Sequence, residues 1–451
     1  SIPADTLPDK HHAPSHTYRY FGEGMAVSSS GHTPFWLMNN RFGLSSIDKN
    51  NGFIRGGFFR ETDPDTRFSW GFGADLVVPY NFTSHFVIQQ LYAEVRYRSL
   101  QLTVGSKERI TGLVNSELAS GSMVLSQNAR PIPQAYISMP RYEPVPLTNR
   151  WLSAKGYFSL GITTDGRWQR DTPHADSRWV EKELFHSKGL FLRVGDPDRH
   201  PLTVEGGLEM ATHFGGEAHI LDINGNPVVV KLPHDFKNII KAIIPSGGGD
   251  SSDSYQDGEQ LNVYGNHTGQ WSLAATYSVP ESEWVVRPYY LHYFEDHSMM
   301  FFDHAWRDML LGFELTFPSN RFVEKFVYEY LNTKDQSGAV YWDHTPEIPE
   351  QVSGRDNYYN HYLYPGWNHW GMGMGNPLII SPVYNANGSL AFYHNRIKGH
   401  HFGFSGRPTD EIAYRALLSF TRSWGTYDNP SPTILHNVNA LAEVTYSARG
   451  R

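Results

Sequence analysis

The run from Phe68 to Tyr80 restricts the fold more than any other feature of the chain. Phe68, Trp70, Phe72, Ala74, Leu76, Val78 and Tyr80 alternate there with Ser69, Gly71, Gly73, Asp75, Val77 and Pro79. Successive side chains of a strand point to opposite faces, so a period of two makes one face apolar with aromatic ends and leaves the other small and polar. The pattern returns at 151–164, where Leu152, Ala154, Phe158, Leu160 and Ile162 oppose Ser153, Lys155, Tyr157 and Ser159. At 202–213 it sets Leu202, Val204, Leu208 and Met210 against Thr203, Glu205, Glu209 and His213, and further runs lie at 271–279, 307–317, 411–423 and 434–446. Turn signals such as DKNNG at 48–52 separate the runs, and Asn51–Gly52 can supply the positive backbone angles of a tight hairpin. The strands are therefore expected to be antiparallel neighbours. No stretch sustains a capped 3.6-residue period, so helices should be few.

Two architectures use many alternating strands: a soluble sandwich or propeller, and a closed barrel in an outer membrane. In the barrel the apolar face meets lipid, strands run to about 9–11 residues, and the opposite face lines a polar interior. Runs 66–80 and 86–98 suit it. In the second, Val87, Leu91, Ala93, Val95 and Tyr97 share one face while Gln90, Tyr92, Glu94, Arg96 and Arg98 share the other. A solvated face on a soluble sheet has the same period, so periodicity leaves both architectures open.

Composition removes several function classes. The 451 residues include 41 glycines and 28 prolines without a low-complexity linker, which favours one continuous architecture over separate domains. No window of about 18 apolar residues exists for a spanning helix. The absence of cysteine excludes disulfides, thiolate metal sites and cysteine nucleophiles. The net charge of −8 is spread without basic runs, which sets nucleic acid aside. Neither GxSxG nor HExxH occurs, and GMGMG at 371–375 lacks the lysine and hydroxyl residue of a phosphate loop. No enzyme, cofactor or metal is expected. The start at Ser1 is that expected of a mature form after signal removal.

Three stretches are candidates for function. Residues 335–375 gather Tyr341, Trp342, Tyr358, Tyr359, Tyr362, Tyr364, Trp367 and Trp370 among histidines, asparagines and glycines. Aromatic faces pack on the CH patches of sugars while amides and imidazoles bond their hydroxyls, so this long loop is either a glycan platform or a self-packed plug. Glu205, Glu209 and His213 share a strand face, but residues four apart on a strand lie about 13 Å apart, too far for a glycosidase carboxylate pair. They are expected in a polar network inside the barrel. GGGDSSDSYQDGEQ at 247–260 carries scattered carboxylates without the ligand order of a calcium loop and is expected to be a mobile extracellular loop.

Several ordered blocks resemble the Wzi family of outer-membrane capsule-assembly proteins. They are TPFWLMNNRFGL at 33–44, SGSMVLSQNARPIPQAYISMP at 120–140, HSKGLFLRVG at 186–195, LTVEGGLEMATHFGG at 202–216 and NRIKGHHFGFSG at 395–406. The resemblance implies an all-β, closed antiparallel transmembrane barrel of about eighteen strands, with long extracellular loops folded over its mouth. It implies a non-enzymatic lectin-like protein that holds capsular or other surface polysaccharide on a Gram-negative cell, in contact with outer-membrane lipid and in reach of other proteins of that membrane. An oligosaccharide channel and a barrel-embedded hydrolase are the alternatives. Residues 1–32, with Pro3, Pro8 and Pro14, read as an extended arm in place of the helical bundle of better-known members, and 33–451 as the barrel. Members of such barrels end on an aromatic residue, whereas this chain ends YSARGR. Within SGSMVLSQNARPIPQ the first residues read as a strand that Pro131 and Pro133 end, because proline cannot donate to a ladder. Asn128 and Arg130 are expected to turn inward there and tie the departing chain to Glu94 or Glu205.

Overall fold

The computed structural model describes residues 18–172, 178–222, 224–232, 265–295, 306–318, 321–336, 341–342, 351–352 and 356–448. Sixteen strands form one antiparallel sheet in which each strand pairs with its neighbour in the chain. They are β1 (Tyr18–Ser28), β2 (Asn50–Arg60), β3 (Phe68–Tyr80), β4 (Val87–Tyr97), β5 (Leu100–Ser106), β6 (Gln134–Pro144), β7 (Leu152–Ile162) and β8 (Leu184–Val194). There follow β9 (Leu202–Phe214), β10 (Asn266–Ser278), β11 (Val285–Phe294), β12 (Met309–Thr316), β13 (Lys325–Asn332), β14 (Ile397–Gly406), β15 (Ile412–Gly425) and β16 (Pro430–Tyr446). Among the described residues no ladder joins β1 to β16. The connection after β1 bridges the two ends instead, with Arg41 3.4 Å from Glu443 and Trp36 donating to Ser419 at 3.1 Å.

Burial along β3 decides between the two architectures. Trp70 and Val78 are 45% and 61% exposed, while Ser69, Gly71, Gly73 and Asp75 on the other face are buried, Asp75 completely. A soluble sheet would bury the aromatic face. The inversion continues round the wall, with Ile54, Leu91, Val95, Leu102, Val104, Leu190, Leu192, Leu273, Leu311, Phe420 and Val438 all outward. A continuous apolar band of this extent marks a lipid-facing surface. Tyr18, Phe68, Tyr97, Trp151, Tyr277, Trp284 and Tyr446 lie exposed at one end of the wall, in the position of an interfacial aromatic girdle.

The connections are unequal at the two ends. Those at 61–67, 98–99, 145–151, 195–201, 279–284, 317–324 and 407–411 are short and share one end. Those at 29–49, 107–133, 163–183, 215–265, 295–308 and 333–396 share the other, the mouth, which in outer-membrane barrels is the extracellular side.

Several expectations need correction. Tyr18–Ser28 of the expected arm is a wall strand paired residue by residue with β2, and residues 1–17 lie outside those described. Among the described residues the wall sheet has sixteen strands, where about eighteen were implied. DKNNG is no tight turn: Asn50–Gly52 already belong to β2, and the buried Asn51 amide donates to Thr33 and the Asp48 carbonyl, holding the incoming chain. Val87 does not share the outer face of β4. Leu76 pairs with Ile88 and Asp75 with Gln90, leaving Gln89 as a bulge that turns Val87 inward. β16 stops at Tyr446, the aromatic residue that opens YSARGR.

Candidate functional site at the barrel mouth

Three of the long connections enter the barrel and pack together as a plug. The first, 29–49, contains the single-turn helix α1 (Phe35–Met38), whose Trp36 and Met38 are buried. The second, 107–133, contains the stretch expected to begin as a strand. It forms no strand, and its backbone groups bond the inner wall instead of a neighbouring ladder. Ser120 N–H donates to Glu329 on β13 at 2.6 Å, Met123 N–H to Gln270 on β10 at 3.0 Å, and the Leu118 carbonyl meets His401 Nε2 on β14 at 2.7 Å. Asn115 donates to Glu314 on β12 and Arg415 on β15 to the Glu117 carbonyl. A segment without a ladder has to satisfy its polar groups with side chains, and here polar residues projecting inward from the wall supply them.

The third connection supplies the aromatic loop. Tyr358, Tyr359, Tyr364 and Trp367 are all buried, so these four candidates for a glycan platform form the plug core and offer no free face to a sugar. Trp367 Nε1 donates to the Val124 carbonyl at 2.8 Å, Tyr359 OH to the Met123 carbonyl, and Tyr364 OH to the Gly215 carbonyl at 3.1 Å. Tyr358 OH donates to Asp308 at 2.8 Å, and burial pushes that carboxyl up to about 6. Tyr362 remains exposed and Trp370 half-buried. Tyr341 and Trp342 pair as a two-residue ladder with Gln351–Val352, and their side chains lie outside the described set. Residues 247–260 also lie outside the described residues.

The five residues expected in one inner network all face inward but sit in separate groups. Glu94 accepts from Lys107 at 2.7 Å, Glu205 lies 3.5 Å from Arg287, Glu209 accepts from Tyr157 and Gln270, and His213 lies 3.1 Å from Glu183. Arg130 is buried as expected, but neither Glu94 nor Glu205 is its partner. Its guanidinium donates to Ser84 at 2.9 Å and Thr83 at 3.0 Å and stacks on the Trp370 ring at 4.5 Å. The connection after β3 was nearer than the lower wall. Burial brings its pKa down to about 10, which leaves it charged at neutral pH. Asn128 does tie the departing chain, accepting from Asn40 N–H at 2.9 Å and donating to the Gly373 carbonyl at 2.9 Å.

Around Arg130 the mouth carries an accessible aromatic group that the sequence reading recognised only in part. Trp370 has φ 56°, a left-handed backbone that a bulky residue rarely adopts. It is held there by its N–H to Asp165 at 2.9 Å and its indole Nε1 to Thr164 at 3.0 Å. Trp168, on the short helix α2 (Gly166–Asp171), packs against it with ring centroids 5.7 Å apart. Beneath them His369 accepts from Thr164 N–H at Nε2, which places its proton on Nδ1, facing the Arg130 carbonyl at 3.0 Å. Burial lowers the His369 pKa, and a second proton would set two donors against each other. Trp168 went unrecognised because DGRWQRD has no aromatic neighbours in sequence; its partner is 202 positions away, as 370 less 168.

Comparison with solved structures fits this geometry. Wzi of Escherichia coli, an outer membrane protein involved in group 1 capsule assembly and described as a carbohydrate-binding β-barrel, matches with a TM-score of 0.52 at 13% identity, covering 96% of this chain and 85% of its own. The chain has the Wzi barrel fold. Outer-membrane OmpT of Vibrio cholerae aligns at 6% identity and TM-score 0.36, over 96% of this chain and 98% of its own. A mutant Rh. blastica porin aligns at 8% and 0.34 with the same coverage. No family model and no curated protein sequence matches the chain. Relative to Wzi, likeness at this identity concerns the backbone alone, so the chemistry of the mouth rests on this chain's own residues.

Proposed function

We propose that the protein resides in the outer membrane of a Gram-negative cell and holds surface polysaccharide at its plugged mouth, without catalysing a reaction. The observation that carries this reading is the plug itself. It is bonded to β10, β12, β13, β14 and β15 and presents the Trp168–Trp370 pair above a charged arginine. An indole face backed by a cation, with Thr164 and Asp165 bonded to Trp370, suits the alternating CH and hydroxyl surfaces of a sugar. The description of Wzi as carbohydrate-binding supports the same reading. An open channel is disfavoured because the inward segments are bonded to β10 and β12–β15 and carry a buried aromatic core. A hydrolase is disfavoured because Glu205 and Glu209 serve different partners and Glu209 has no exposed surface. Other proteins of the outer membrane are natural neighbours for such an anchor.

The test is retention of surface polymer. Cells lacking the protein should shed polysaccharide into the medium, and Trp168→Ala/Trp370→Ala should reproduce the loss while the barrel remains folded. Full retention by that double variant would contradict the reading.

A further inference from the structure

Two of the mouth connections, 163–183 and 215–265, meet in a small antiparallel sheet of three short strands, Trp179–Glu181, Glu217–Leu221 and Pro227–Lys231. Val180 and Ala218 turn one face of it to the plug, where they share a buried cluster with Leu363 and Tyr364. Alternation along the strands puts Trp179, Glu181, Glu217 and His219 on the other face. Glu217 is the direct cross-strand partner of Glu181, and His219 that of Trp179. One ligand atom from each of Glu181, Glu217 and His219 lies within 4.8 Å of the other two.

The donor atoms of this trio are unspent. Among the described residues neither carboxylate accepts a hydrogen bond. The cations beside them stand off, with Arg170 Nη1 3.6 Å from Glu181 and Lys182 Nζ 3.9 Å from Glu217, and both of those side chains are exposed. Arg170 is held more closely by Asp171, at 2.8 Å. Exposed pairs of this kind contribute little, so the carboxylates stay free to turn towards a stronger partner. Like charges directly opposite on a ladder also cost stability, a cost that a bound cation removes. The imidazole of His219 lies flat on Trp179, with ring centroids 3.5 Å apart and planes 7° from parallel, so stacking sets its direction. Its Nε2 is a buried atom without a partner, and neither ring nitrogen is used in a hydrogen bond among the described residues. A buried polar atom left unmatched calls for an explanation, of which a bound ion is one.

We propose that Glu181, Glu217 and His219 form a binding site for a divalent cation of the zinc class. Two carboxylates cancel the charge of a dication, and mixed oxygen and nitrogen donors suit zinc better than calcium, which takes about six to eight oxygens. Zinc bonds of about 2.0–2.2 Å bring tetrahedral ligand atoms to about 3.4 Å from one another, so a small rotation of the two partly exposed glutamates closes the trio. A fourth position stays open to water. The bound cation clamps the connection that carries Trp168 to the connection after β9. The site goes beyond the mouth reading, and neither depends on the other.

Calorimetric titration of the full-length protein in detergent, treated with a chelator and then freed of it, tests the site with zinc chloride and calcium chloride. The expected result is saturable uptake of one zinc ion per chain, with calcium bound at least tenfold more weakly. Glu217→Gln/His219→Gln should weaken zinc binding at least tenfold. His11→Gln/His12→Gln should leave it unchanged, which separates the site from the histidines near the start of the chain. Heat-modifiable migration on gels checks that each variant is folded. The proposal is overturned if zinc does not bind saturably, if calcium binds as tightly, if folded Glu217→Gln/His219→Gln binds as the parent does, or if His11→Gln/His12→Gln abolishes the binding.

Discussion

The two halves of the barrel interior use the same wall strands for opposite ends. Along β9, Glu209 and His213 near the mouth have no exposed surface, while Glu205, one turn of the pattern nearer the short-turn end, keeps some. The mouth half is entered by chain, and Glu329, Gln270, His401 and Arg415 of the wall bond its irregular backbone. The short-turn half is lined by ion pairs and cation–ring contacts that remain open to solvent. Buried hydrogen bonds that satisfy otherwise orphaned backbone are expensive to break, whereas partly exposed ion pairs contribute little. The comparison teaches that the plug, and not the charge lining, holds the interior together.

The largest effect is expected from Trp367→Ala. It removes a fully buried ring and the donor to Val124, and should cost about 3–5 kcal/mol of the plug's hold, read as new protease cleavage in 107–133 with the barrel still intact. Gln270→Leu comes next. It strands Ser122, Met123 N–H and Glu209 together, a loss of about 1–3 kcal/mol seen as faster amide exchange at Met123. Acidification should act on the same half. His369 is held neutral below its ordinary pKa, so the folded plug binds fewer protons than the released one. The plug is then fully stabilised above about pH 6.5 and loses stability as the pH falls below it, at up to about 1.4 kcal/mol per unit. Protection in 120–133, measured relative to the intrinsic exchange rate at each pH, should fall between pH 7 and 5, and His369→Gln should reduce that fall. Smallest is Glu205→Gln in the open half, whose pair with Arg287 is partly exposed; a change under about 1 kcal/mol in urea unfolding is expected. A larger cost for Glu205→Gln than for Gln270→Leu would break the contrast between the halves.

The wall was legible because its information is local. A period of two repeats within each strand, and 66–80 alone declares which residues share a face. Which of the two faces is outside followed only from burial, since lipid and a soluble core accept the same side chains. The bulge at Gln89 was invisible, as one extra residue leaves composition unchanged while reversing Val87. The plug was the least legible part. Its partners are remote, as between Leu118 and His401 or Trp36 and Ser419, and its segments have no period of their own. Arg130 was placed correctly inside because two prolines end any ladder just beyond it, yet Ser84, Thr83 and Trp370 could not be chosen over Glu94 without the fold. The aromatic loop shows the same limit. Tyr358 and Trp367 belong to the core and Trp370 to the mouth, though all three stand in one stretch of similar composition.

Electrical conductance across a planar bilayer tests the filled mouth half most directly. The intact protein should insert without a steady current, and removal of 356–396 should open one. A large, steady current from the intact protein would contradict the account, in which the described plug segments are bonded to β10 and β12–β15 and fill the mouth half.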